Sequence, residues 1–431
     1  MTGTRPARGR ARTFAGVGAL LLVGIGACSG SVTLPTGSTT TPRGPSTSPA
    51  TTSSTASDTS TTAPLTPAAT RPGTSTGGPT VASCVERTAS ALTTAQRVGQ
   101  LLMVGIQPGQ APGGLDGAIA AQHLGGAIYL GGWSGSAAVR QTSTHLQGQV
   151  TAVSTGGVRL LVAADQEGGQ VQQLKGPGFT SLPSALAQGQ SSATAISANG
   201  ATAGRELRSA GVNVDLAPVA DTVSSALGRG NGPIGRYDRE FGHDPATVSR
   251  GVTAFVRGLR SSGVAPTLKH FPGIGRLTGN TDTTATGITD TIASASDPDL
   301  DPFRQGIAAG AQLVMISTAR YPQLDAANQA AFSPAIISGL LRGSLGWQGV
   351  VVTDDVGAAV SVSGIPYADR ATRFVDAGGD IVLTATLSSV APMAQGLLAR
   401  YAADPAFAAK VEASVSRVLA QKQALGLLSC G

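Results

Sequence analysis

Between Cys84 and Cys430, eight short apolar runs recur, each of strand length and each separated from the next by a segment long enough for a helix. They are Leu101–Ile106, Gly126–Leu130, Arg159–Ala164, Val212–Leu216, Ala265–Leu268, Leu313–Ile316, Val350–Thr353 and Asp380–Leu383. Runs that are apolar on both faces fit parallel strands covered by helices. The intervening text includes helix-like stretches at Ala193–Ser209 and Asp404–Leu425. The latter opens with Asp404-Pro405, an N-cap residue followed by Pro at the first helical position, and carries Phe407, Val411, Val415, Val418 and Leu419 at helical spacing. Eight strand–helix units predict an α/β fold, a (β/α)8 TIM barrel forming a single domain over 81–431, with an open doubly wound sheet as the alternative.

The strand ends favour the barrel, because they carry polar residues of the kind a barrel enzyme displays at its C-terminal mouth. Asp165 follows the third run, Asp215 and Asp221 flank the end of the fourth, Lys269-His270 follow the fifth, and Asp354-Asp355 follow the seventh. Gly349–Gly357 is the sharpest of these features, a buried strand running straight into two carboxylates and a Gly. One such carboxylate can serve as a nucleophile, and the other can cap the following turn or helix. Lys269-His270 with the turn-forming Pro272-Gly273 can hydrogen-bond the hydroxyls of a polar ligand, although a solvated Lys beside a packed His reads equally well locally. Asp165-Gln166-Glu167-Gly168-Gly169 ends the third run with two carboxylates, and Asp238–Gly242 supplies the guanidinium of Arg239.

Taken in order, Asp165–Gly169, Asn213–Asp221, Asp238–Gly242, Lys269–Gly275 and Thr353–Val356 resemble the glycoside hydrolase family 3 barrel, and most of all its single-domain β-N-acetylglucosaminidases of the NagZ type. The resemblance spans essentially all of Cys84–Cys430. It implies a retaining exo-glycosidase acting on terminal N-acetylglucosamine of peptidoglycan-derived fragments. Asp354 is then the nucleophile, and Asp165, Arg239, Lys269 and His270 are the residues that bind the sugar. A β-glucosidase or β-xylosidase of the same family, and a sugar-binding lipoprotein without turnover, are the competing readings.

One loop departs from the family pattern. The NagZ type carries Lys-His-Phe-Pro-Gly-His-Gly and then an Asp-Ser-His triplet whose His is the general acid/base. Here the text is Lys269-His270-Phe271-Pro272-Gly273-Ile274-Gly275 and then Asn280-Thr281-Asp282, and none of His123, His145, His243 or His270 falls in that triplet. Asp282 is therefore the candidate acid/base, since a carboxyl with a raised pKa does the same work; loss of the loop's role is the alternative. Gly279 and the loop's many Thr suggest a mobile segment that closes over the site.

The charge lies mostly outside this domain. The chain has 431 residues and a formal charge of +6, of which residues 1–80 contribute +5, from six Arg against Asp58. A near-neutral domain with few Lys offers no track for nucleic acid, and no Cys/His cluster has metal-ligand spacing, so neither a metal nor an organic cofactor is expected. Four Arg, the apolar run Phe14–Ala27 and then Cys28 read as a lipoprotein export signal over 1–28. Residues 31–80 hold 34 Ser, Thr or Pro among 50, so 29–80 reads as a disordered linker. Together with the family resemblance, these features predict a carbohydrate-active domain, expected to be a monomer, on the outer face of the cytoplasmic membrane, held by a lipid on Cys28. In such an oxidising compartment Cys84 and Cys430 are expected to form a disulfide across the domain's ends, two free thiols being the alternative.

Overall fold

The structure, a computed structural model, describes residues 83–428. The expected signal segment with Cys28, the Ser/Thr/Pro-rich stretch and Cys430 lie outside the described residues; Cys84 is disulfide-bonded.

Eight parallel strands form one sheet: β1 (Leu102–Ile106), β2 (Gly126–Tyr129), β3 (Leu161–Ala164), β4 (Val214–Asp215), β5 (Ala265–Phe271), β6 (Leu313–Ile316), β7 (Val350–Thr353) and β8 (Val382–Thr384). Their order is β7-β6-β5-β4-β3-β2-β1-β8, so sequential strands are neighbours throughout. The barrel closes between β8 and β7 through a parallel bridge, Val352 to Ile381, supported by Thr353 N–H donating to Ile381 O (2.9 Å) and Val356 N–H to Leu383 O (3.1 Å). The strands are buried along their whole length, which is why they appear as unbroken apolar runs.

The crossovers carry α1 (Asp116–Gln122), α2 (Ser136–Gly148), α3 (Ala193–Ser209), α4 (Pro245–Ser261), α5 (Asp301–Ala308), a π-helix (Ala335–Ser344), α6 (Tyr367–Asp376), α7 (Val390–Ala403) and α8 (Pro405–Ala424). The Asp404 carboxylate caps α8 by accepting from Ala406 N (2.9 Å) and Phe407 N (3.2 Å), as its sequence predicts. Helices α3 and α4 approach closely at Gly258, where an added Cβ would run into the Ser197 carbonyl.

β6 and β7 match their expected runs at both ends, whereas β5 continues to Phe271, so Lys269 and His270 lie within the strand and not after it, and β4 and β8 are shifted for identifiable reasons. β4 shrinks to two residues because the Asn213 side chain, not the backbone ladder, takes the Val162 amide (2.9 Å), and Pro218 soon removes a donor. β8 starts late because the Asp380 carboxylate is held by Arg342 (2.7 Å) and Arg417 (2.8 Å) while accepting from Val351 N (2.7 Å).

Candidate active site

A cavity of about 490 Å³ lies at the C-terminal ends of the strands, and its lining includes Asp165, Arg239, Lys269, His270, Asp282 and Asp354. The fold thus gathers all six residues singled out from the sequence.

Asp354 is set by its backbone. Its N–H donates to Ile316 O at the end of β6 (2.9 Å), while the Thr353 hydroxyl accepts from Leu383 N (2.8 Å). Adjacent Asp355 has the capping role: its Oδ1 accepts from Gly357 N (2.7 Å), Ala358 N (3.2 Å) and Ala385 N (3.0 Å). The second carboxylate therefore pins the loop after β7 to the end of β8 and leaves the first at the cavity.

Asp165, Arg239 and Lys269 of the cavity lining converge on a buried carboxylate, Glu167, which carries no role in the sequence reading. Arg239 grips Glu167 with Nε (2.9 Å) and a terminal nitrogen (2.8 Å), and its remaining terminal nitrogen donates to Pro233 O (2.8 Å). Lys269 Nζ reaches Asp165 Oδ1 (2.5 Å) and Glu167 Oε1 (2.6 Å). Burial pushes Glu167 up, but the Arg239 and Lys269 charges outweigh it and hold the carboxyl at about 2. Asp215, fully buried beside this cluster, accepts from Gln166 N (3.0 Å) and leaves its other oxygen without a partner. Burial raises it to about 8, towards the neutral form. Much of the donor capacity assigned to sugar binding is thus already used within the protein. Two N–H groups of Arg239 and one of Lys269 remain, with the second oxygen of Asp165 as acceptor.

His270 is oriented from behind. The buried carboxylate of Asp221 takes its Nδ1 (2.8 Å) and also accepts from Ile274 N (2.8 Å). Nε2 is then the ring nitrogen left for a ligand. Ile274, where the family pattern has His, is a buried apolar element of the cavity wall.

The loop bearing Asp282, whose composition suggests mobility, is held in this structure by several hydrogen bonds. Asn280 Oδ1 accepts from Asp282 N (2.9 Å), Gly279 N donates to Gly287 O (2.9 Å), and Val360 N and Ser361 N donate to the carbonyls of Asp282 and Thr281 (both 3.1 Å). The loop is therefore docked on the segment that follows the Asp354 strand. The Asp282 side chain is open to solvent at the cavity mouth, yet protein surrounds most of it. That crowding raises its pKa, the Asp354 charge adds to the effect, and the carboxyl reaches about 6.

The Glycosyl hydrolase family 3 N terminal domain matches residues 93–421. A solved β-N-acetylhexosaminidase from Beutenbergia cavernae is 47% identical, with a TM-score of 0.74, over 77% of this chain and 99% of that one. A family 3 β-N-acetylglucosaminidase from Paenibacillus is 31% identical, with a TM-score of 0.68, over 79% of this chain and 64% of its own. Among curated proteins, a β-hexosaminidase of Stenotrophomonas maltophilia is 40% identical over 230 residues, 52% of this chain and 66% of that relative. Eight parallel strands, a carboxylate-lined mouth and a family match across the barrel agree: the chain belongs to glycoside hydrolase family 3.

Proposed function

We propose that the protein is a retaining exo-β-N-acetylglucosaminidase in which Asp354 is the nucleophile and Asp282 the general acid/base. Support for the chemistry comes from the site, and support for the sugar comes from the activity named for its relatives. The observation that carries the reading is that the same cavity holds Asp354 and a second carboxyl, Asp282, which burial and the Asp354 charge raise to about 6, towards the range of a general acid.

In the first step Asp354 attacks the anomeric carbon, the bond from that carbon to the leaving oxygen breaks, and Asp282 gives its proton to that oxygen. The glycosyl–Asp354 ester no longer bears the negative charge that helped to raise Asp282. The pKa of Asp282 falls, so the same carboxyl can take a proton from the water that attacks the anomeric carbon and releases Asp354. Asp165, His270, Arg239 and Lys269 bind the hydroxyls of the terminal sugar. Strengthening of these bonds as the ring flattens would favour the transition state over the ground state.

The same proposal places the enzyme in the cell envelope, tethered as a monomer through a lipid on Cys28 and the 29–80 linker, with cell-wall fragments as substrate. That part rests on the leader and linker composition and on the family resemblance.

The test uses aryl β-glycosides of N-acetylglucosamine, glucose and xylose. Release from the first alone supports the reading; release from the others alone would replace it with a glucosidase or xylosidase, and sugar binding without release with a non-catalytic binder. Asp354→Asn abolishes turnover for every leaving group. Asp282→Ala slows poorly activated alkyl glycosides by on the order of 100-fold more than aryl ones, the range for general acid catalysis. Equal slowing of both would remove Asp282 from the role.

A further inference from the structure

The segment that anchors the Asp282 loop is itself anchored from a third strand end. Gln329, on the short strand Asp325–Gln329 after β6, is almost fully buried and donates from Nε2 to Thr318 O (2.7 Å) and Ser361 O (3.0 Å). The Ser361 hydroxyl bonds the buried Thr318 hydroxyl (2.8 Å). From the same turn, Ser361 N and Val360 N donate to Thr281 O and Asp282 O. None of Gln329, Thr318 and Ser361 lines the cavity. Two hydrogen-bond layers thus run from the end of β6, through the turn after β7, to the loop after β5 that carries Asp282.

We propose that Gln329 and Ser361 are positioning residues for Asp282, locking the acid/base loop to the nucleophile's own loop so that the two carboxylates are held as one preorganised unit. The inference rests on the assignment of Asp282 as acid/base. Four bonds in this relay join segments that are far apart in sequence, and Gln329 also satisfies the buried Thr318 carbonyl, which would be costly to leave without a partner. Proton transfer requires hydrogen-bond reach, and misplacing a catalytic group by about 1 Å costs on the order of 100-fold. Asp354 is set separately, by its backbone bond to Ile316 O, so loosening the relay should leave nucleophilic attack largely intact.

The experiment compares kcat on an alkyl and an aryl β-N-acetylglucosaminide for the full chain and for Gln329→Ala, Ser361→Ala, Thr318→Val and Thr318→Ser. Aryl leaving groups need little acid assistance. The alkyl rate should therefore fall by about tenfold or more in Gln329→Ala, while the aryl rate stays within about threefold. Ser361→Ala and Thr318→Val should show the same sign, and Thr318→Ser, which keeps the hydroxyl, should restore the alkyl rate. Equal slowing of both substrates, or alkyl rates like wild type, overturns the inference. Should Gln329→Ala fail to fold by circular dichroism, Ser361→Ala and the Thr318 pair decide it alone. Asp282→Ala in the same assay separates the two claims. If it fails to discriminate between leaving groups, the acid/base assignment falls; if it discriminates and the relay variants do not, only the positioning inference falls.

Discussion

Replacing Glu167 with Gln removes one negative charge from the point where Arg239 and Lys269 meet, with little change of shape. The carboxylate is 4% exposed, and three cationic nitrogens lie within 2.9 Å of its oxygens. Burial alone would raise its pKa, yet the two cations bring it from 4.5 down to about 2. At about 1.4 kcal/mol per pH unit, that difference corresponds to about 3 kcal/mol favouring the ionised native form. Removing one partner of a buried ion network generally costs about 3–5 kcal/mol, since uncompensated charge remains behind. Glu167→Gln should therefore unfold in urea with about 3–5 kcal/mol less stability at pH 7. Trp133 and Trp347, both buried, serve as fluorescence reporters. The pH dependence follows from the direction of the shift. A carboxyl with a depressed native pKa stabilises fully above its unfolded value of 4.5 and loses that contribution as pH falls towards 2. The gap between wild type and variant should be flat from pH 7 to 5 and narrow below about 4.5. A gap under about 1 kcal/mol, the size of an exposed ion pair, would refute the reasoning. So would a gap unchanged down to pH 3.

Other outcomes follow from the same electrostatics. If Asp282 must be protonated in the first step, kcat/KM on an alkyl glycoside falls as pH rises through about 6, and Asp282→Asn loses that limb along with most of its rate. Lys422, fully buried in the last turn of α8, donates to Gln100 Oε1 (2.5 Å) and Gly125 O (2.8 Å), and burial lowers it to about 7. The native state then binds fewer protons than the unfolded chain between about pH 7 and 10.5, so wild-type stability should rise across that window relative to Lys422→Met. A difference between the two in urea unfolding that does not change with pH would count against the buried ammonium.

Much of the fold was legible because parallel strands sealed by helices have no polar face to interrupt them, and Leu313–Ile316 and Val350–Thr353 match their runs at both ends. β4 was not, because its ladder bond is taken by a side chain, Asn213, which no periodicity reveals. In the site, the residues at strand ends were readable one by one. The role of Glu167 was not, since its cation Arg239 is 72 residues away and only the barrel brings them together. The one available signal was a second carboxylate two residues after Asp165 on the same strand end. The docking of the loop around Asp282 is hidden from the sequence for a similar reason. Its Gly and Thr content is a local property, whereas the amides that hold it come from Val360 and Ser361.

What the sequence by itself determined, then, is the sheet's strand count and order and the identity of the carboxylates and cations at its mouth, because burial pattern and strand-end position are one-dimensional properties. It also carried the departure from the family, an Asp at 282 and an Ile at 274 where two His are expected. Only the tertiary structure decided the protonation and the freedom of those groups. The pKa of Asp282 depends on the crowding around it and on Asp354, that of Glu167 on Arg239 and Lys269, and the docking of the Asp282 loop on the amides of Val360 and Ser361. Electrostatic and hydrogen-bond energies depend on distance through space, which the order of residues along a chain does not contain.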